Sequence, residues 1–164
     1  MSKVCVLGAG SWGTALASVL DENGHEVLIW ARRQDQVDEI NNKNTNEKYL
    51  PGVKLSESLK ASSRIDQVVG GAEFIVLAVP SQQIRSVCKE IADKIGPDQV
   101  LVNVAKGIEK DTSKRISEVC LEVLPKNPYC MLSGPSHAEE VSKNMPTALV
   151  AASESVDISQ RVQD

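Results

Sequence analysis

Val4-Cys5-Val6-Leu7-Gly8-Ala9-Gly10-Ser11-Trp12-Gly13-Thr14-Ala15-Leu16-Ala17 decides how the remaining residues are read. An apolar run stops at a glycine, passes through G-x-G-x-x-G, and resumes with the spacing of a helix. Lys3–Leu7 has the β-branched content and length of a strand buried on both faces. Gly8 permits the tight turn, Gly10 lets the backbone approach a pyrophosphate, and Gly13 lets the helix press onto the sheet. The free N–H groups and positive dipole end of that helix then face the anion. The plainer alternative is a glycine-rich connector without a ligand. It is disfavoured because each of three glycines costs backbone entropy in a bare turn.

The bulk numbers set the frame. A chain of 164 residues with 41% hydrophobic content is long enough for one domain, residues 1–164, with its own core. A formal charge of -4 offers no basic field for nucleic acid, so that partner class is excluded. No apolar run approaches the length of a membrane span, and Met1-Ser2-Lys3 leads straight into the first strand, with no signal peptide expected. Cys5, Cys88, Cys120 and Cys130 are far apart and form no C-x-x-C pair, and three of them fall on faces that read as buried. Neither disulfides nor a metal is expected, and a reducing cytoplasm fits.

Moving outward from the glycines, a helix is predicted over Ser11–Asn23 with Ala15, Leu16, Val19 and Leu20 inward, stopped by Gly24. Glu26–Ala31 is a second buried strand, which completes a βαβ unit. The end of this strand decides which coenzyme is read. An NAD site usually has Asp or Glu there for the ribose 2′-hydroxyl, whereas this chain has Ala31-Arg32-Arg33. Two guanidiniums suit the 2′-phosphate of NADP, so NADPH is expected to bind more tightly than NADH. The alternative is a solvated arginine pair.

The pattern then alternates. Gln34–Asn44 reads as a helix with Val37 and Ile40 inward, fraying in the polar tract Asn41–Asn46. Tyr49-Leu50-Pro51-Gly52 is a turn, the stretch to Ser58 is irregular, Leu59–Ser62 is a short strand, and Ile65–Val69 is a brief helix ended by Gly70-Gly71. Further strands are predicted over Phe74–Pro80, Val100–Val104, Tyr129–Ser133 and Thr147–Ala151, and helices over Gln82–Ile95 and Ser113–Leu124. Val156–Asp164 begins another helix. Such alternation predicts an α/β fold, a Rossmann-type, doubly wound and mainly parallel sheet.

Two further candidates lie at the carboxyl ends of late strands. Lys106, in Ala105-Lys106-Gly107, is a compact cation suited to a substrate oxygen or phosphate, with an ordinary surface lysine as the alternative. Gly134-Pro135-Ser136-His137-Ala138-Glu139-Glu140 repeats the strand–glycine–helix plan, proline and serine suiting the first positions of an anion-holding helix. Ser136 also fits a simple N-cap, and a lone His137 there is more often structural than catalytic.

Taken together, Gly8–Ala15, Val79-Pro80-Ser81, Ala105-Lys106-Gly107 and Ser133–Glu139 resemble NAD(P)-dependent glycerol-3-phosphate dehydrogenases of the bacterial type. The resemblance implies interconversion of dihydroxyacetone phosphate and glycerol-3-phosphate in the cytoplasm, for phospholipid synthesis, with NADP or NAD as coenzyme. It implies that Gly8, Gly10, Ser11, Trp12, Gly13, Arg32, Arg33, Lys106 and Ala138 meet the coenzyme. Lys106, Gly134 and Ser136 would meet a small phosphorylated substrate, Lys106 giving electrostatic support to catalysis. The family's second, all-helical domain, which carries the proton-transferring lysine, is expected to lie beyond Asp164, so this chain is expected to bind coenzyme without turnover. A homodimer of the full-length enzyme is compatible with the resemblance. The competing expectations are another two-domain dehydrogenase, such as a ketopantoate reductase, and a nucleotide-sensing module without chemistry.

Overall fold

Strand β1 (Lys3–Leu7) is parallel to β2 (Glu26–Trp30) on one side and to β4 (Phe74–Leu77) on the other. The computed structural model describes residues 1–164. With β3 (Lys60–Ser62), β5 (Val100–Asn103), β6 (Tyr129–Ser133) and β7 (Val150–Ala152), the sheet order is β3-β2-β1-β4-β5-β6-β7. Every pairing is parallel except β6 with β7, so the sheet is mainly parallel as expected.

The helices are α1 (Ser11–Glu22), α2 (Gln34–Lys43), α3 (Ile65–Val69), α4 (Ile84–Ile91), α5 (Ile116–Val123), α6 (Ala138–Val141) and α7 (Val156–Gln163). Strand side chains alternate between two cores. Val4, Val6, Ile29, Val76 and Val102 pack with Leu16, Val37, Ile40 and Ile158, which places α1, α2 and α7 on one face. Cys5, Leu7, Ile75, Leu77 and Leu101 pack with Val68, Ile84, Ile91 and Val119, which places α3, α4 and α5 on the other. This is why the strands read as unbroken apolar runs: both faces are covered, and each large side chain so buried contributes about 1.5–3 kcal/mol.

Several boundaries differ from the sequence expectation, each for a local reason. The strand predicted over Phe74–Pro80 ends at Leu77, because Ala78 N–H makes the last bond to Leu7 O (3.0 Å) and Pro80 has no N–H to give. The helix predicted over Gln82–Ile95 opens as a 3₁₀ turn, Ser81–Gln83, and its α portion ends at Ile91. The helix predicted from Ser113 starts at Ile116, since Ser113 is left-handed (φ 58) and Ile108 bridges back to Arg115. The last strand starts at Val150 rather than Thr147. It is antiparallel because the chain returns from β6 through a loop that carries only the four-residue α6.

The polar tract after α2 does not fray. Asn44 closes the helix in the left-handed region (φ 53), donating its N–H to Ile40 O (3.1 Å). The Asn41 side chain bonds both backbone groups of Ala61, and Asn46 is buried. All four cysteines are buried thiols, one more than expected, with Cys88 and Cys120 Sγ 4.0 Å apart between α4 and α5. No helix is long and apolar enough to cross a membrane.

Candidate functional site

The connections leaving β1 and β4 run to opposite sides of the sheet, and this reversal opens a crevice at the carboxyl ends of those strands. Five segments meet around it: Gly8–Gly13, Ala31–Arg33, Val79–Gln83, Ala105–Gly107 and Gly134–Ala138. All but Gln82 and Gln83 were singled out from sequence.

The glycines divide their work. Gly8 is left-handed (φ 123), and a Cβ there would lie 2.7 Å from Ala78 O. A Cβ on Gly13 would fall 2.0 Å from Gly8 O, so this position holds α1 against the strand exit. A Cβ on Gly10 would meet nothing within 4 Å. Gly10 therefore borders open space, and packing within the fold does not require its lack of a side chain. No side chain caps the start of α1, whose ladder opens with Thr14 N–H donating to Gly10 O (2.9 Å). The amides ahead of Thr14 remain available to an anion.

Two residues that the sequence did not single out fix the loop's orientation. Gln36 Nε2 (2.5 Å) and Asn46 Nδ2 (3.0 Å) both donate to Ala9 O. Asn46 also donates to Thr14 Oγ1 (2.8 Å), and all three side chains are buried. Because the peptide is planar and trans, pinning the Ala9 carbonyl inward turns Gly10 N–H outward. The loop is preorganised by polar groups that have no solvent to compete with.

Arg32 and Arg33 are both exposed at the β2 exit but are partnered differently. Arg32 donates to the neutral Gln83 Oε1 (3.0 Å) and lies 6.0 Å from the Trp30 ring centre. Arg33 forms a two-pronged ion pair with Asp35, Nε to Oδ1 at 2.9 Å and Nη2 to Oδ2. The pairing pushes the Arg33 pKa up and the Asp35 pKa down, the shared hydrogen bonds being the main cause.

The loop after β5 is braced from α4 and its 3₁₀ turn. Gln82 Nε2 donates to Ile108 O (2.8 Å) while Gln82 Oε1 accepts from Lys110 N–H (2.9 Å). Between these, Glu109 receives two hydrogen bonds from Arg85, at 2.8 Å each. Arg85 holds the Glu109 carboxyl down to about 2, with Thr112 assisting. Arg85 also reaches Glu122, tying α5 into the same network. Gly107 (φ 124) lies where a Cβ would be 3.2 Å from Ser81 Oγ. Held this way, Lys106 extends its Nζ to Gly134 O (3.0 Å), which brings together two sequence candidates from different strands.

The segment after β6 departs from expectation. Pro135 and Ser136 precede the helix rather than opening it, because His137 is extended and α6 begins at Ala138 with four residues. Ser136 Oγ donates to Gly134 O (3.4 Å) instead of capping, and His137 makes no side-chain cap bond. Gly134 is required by packing: a Cβ there would lie 2.4 Å from Ala148 O. Ala138 is buried with Ala15 and Leu50, and Trp12 packs against that cluster, so α6 docks on α1 beside the glycine loop.

Comparison with known proteins adds a second line of evidence. A family model described as NAD-dependent glycerol-3-phosphate dehydrogenase N-terminus matches residues 3–159. A Lysinibacillus sphaericus protein named glycerol-3-phosphate dehydrogenase (NAD(P)+) is 50% identical over 167 residues, covering 100% of this chain and 49% of that protein. One of the same name from Clostridium perfringens is 46% identical over 164 residues, covering 100% and 50%. The crystal structure of glycerol-3-phosphate dehydrogenase from Coxiella burnetii superposes with a TM-score of 0.93 at 35% identity, covering 98% of this chain and 49% of that one. The chain thus spans about half the length of the relatives it matches.

Proposed function

The chain belongs to the NAD-dependent glycerol-3-phosphate dehydrogenase N-terminus family, and on that premise we propose that it is the coenzyme-binding half of an oxidoreductase interconverting dihydroxyacetone phosphate and glycerol-3-phosphate. One observation carries the proposal. Gly10 borders open space at the unguarded start of α1, with the Ala9 carbonyl pinned away by Gln36 and Asn46. That cradle fits a pyrophosphate, held by the amides around Gly8, Gly10, Ser11, Trp12 and Gly13. Arg32 and Arg33 take the adenosine end, and their charge favours NADPH over NADH. Ala138 completes the cofactor wall from α6.

The coenzyme, when bound, supplies or accepts hydride. The chain's own groups position the reactants and balance charge. Lys106, braced by Gln82 and by the Arg85–Glu109 pair, sets an ammonium beside Gly134 and Ser136, where it meets both coenzyme and the phosphorylated substrate. Reduction of the ketone builds negative charge on its oxygen, and a preorganised ammonium stabilises that charge. The proton donor comes from the remaining half of the enzyme, so this chain alone binds coenzyme without turnover.

The test uses the full-length enzyme with Lys106→Met. Loss of a preorganised charge lowers kcat by about 10²–10³-fold. The coenzyme dissociation constant, followed by fluorescence titration, changes by less than about threefold. An unchanged kcat removes Lys106 from the mechanism.

A further inference from the structure

The two arginines at the β2 exit were read as equivalent cations, yet the structure separates them. Arg32 rests on a neutral amide oxygen, which an incoming phosphate displaces without meeting a like charge. Arg33 has two N–H groups engaged by the Asp35 carboxylate. A 2′-phosphate that takes Arg33 must draw it from Asp35, or sit beside a carboxylate of its own sign. Asp35 lies in the first turn of α2, just past the β2 exit at which a dinucleotide site usually carries its ribose-reading acid. Its carboxylate is exposed and has free lone pairs for a 2′-hydroxyl.

We propose that Asp35 is a specificity-determining residue, which by holding Arg33 limits the preference for NADPH and lets one site accept both coenzymes. The proposal rests on the coenzyme site described above and concerns only its adenosine end. It gives a physical source for dual use, in keeping with relatives named for NAD(P)+. The size of the effect is bounded, because both partners are about half exposed or more (50% and 67%) and water screens the pair.

The test is calorimetric titration of the chain with NADPH and, separately, with NADH, in wild type, Asp35→Asn and Asp35→Ser. Serine keeps a polar side chain in the first turn of α2, so the comparison survives if one variant folds poorly. Both variants are expected to bind NADPH about two- to fivefold more tightly, with no gain for NADH. The gain shrinks as salt is raised. It disappears when Arg33→Ala is added to Asp35→Asn, which assigns it to that pair. A NADPH-to-NADH ratio left unchanged while both coenzymes bind overturns the proposal, as does a gain that persists without Arg33. If wild type binds neither coenzyme, the coenzyme site itself fails, and the role of Asp35 with it.

Discussion

Gly10 and Gly13 belong to one motif and answer to different constraints. Gly13 has no room for a methyl group, since backbone lies 2.0 Å from the Cβ position. Gly10 has room in the fold and an ordinary extended conformation (φ -77, ψ -177), so the proposed coenzyme, rather than the fold, is what asks for a glycine there. Gly13→Ala is expected to lose about 3 kcal/mol or more of stability, by main-chain displacement. Gly10→Ala should melt within about 3 °C of wild type yet bind coenzyme at least about tenfold more weakly. Thermal melts and titrations of the two variants check this pairing, and undiminished binding by folded Gly10→Ala would refute it. The motif was legible because three glycines at fixed spacing have few other uses. Asn46 was not, because an asparagine in a polar tract carries no period or motif. Its role exists only once the loop after α2 folds back across 37 residues of sequence to reach Ala9.

At the scale of elements, the loop that carries Lys106 depends on α4 rather than on its own sequence. Arg85 and Glu109 meet across 24 residues, and the Glu109 carboxyl is held at about 2, below its ordinary 4.5. A carboxyl depressed in the folded state stabilises fully above its unfolded value. That contribution is lost as pH falls from about 4.5 towards 2. Urea melts at pH 7 and pH 3 should therefore show a smaller acid loss in Glu109→Gln than in wild type. Equal losses would remove the pair from the stability of this loop. Most helices and strands were readable from apolar spacing, and the over-extended helices share a cause. Periodicity extends a helix through any polar residues that do not break its pattern. Ser113–Arg115 were absorbed into α5 in that way, although backbone contacts hold them in a turn. The brace made by Gln82 and Arg85 was equally invisible, since surface glutamines and arginines carry no signal until their partners are placed.

Across the whole molecule, a parallel sheet covered on both faces explains why the fold class could be read from runs of valine, isoleucine and leucine, whereas the strand order came only with the structure. The same sheet gathers residues from five strand exits at one edge, which is why candidates scattered from Gly8 to Ala138 converge. In the proposed complex, peptide groups opening α1 hold the diphosphate of a nicotinamide coenzyme. Calorimetric titration of the folded 164-residue chain tests this most directly. Saturable heat at one site per chain is predicted for NADPH, with weaker binding of NADH. Folded chain that gives no heat with either coenzyme at millimolar concentration would contradict it.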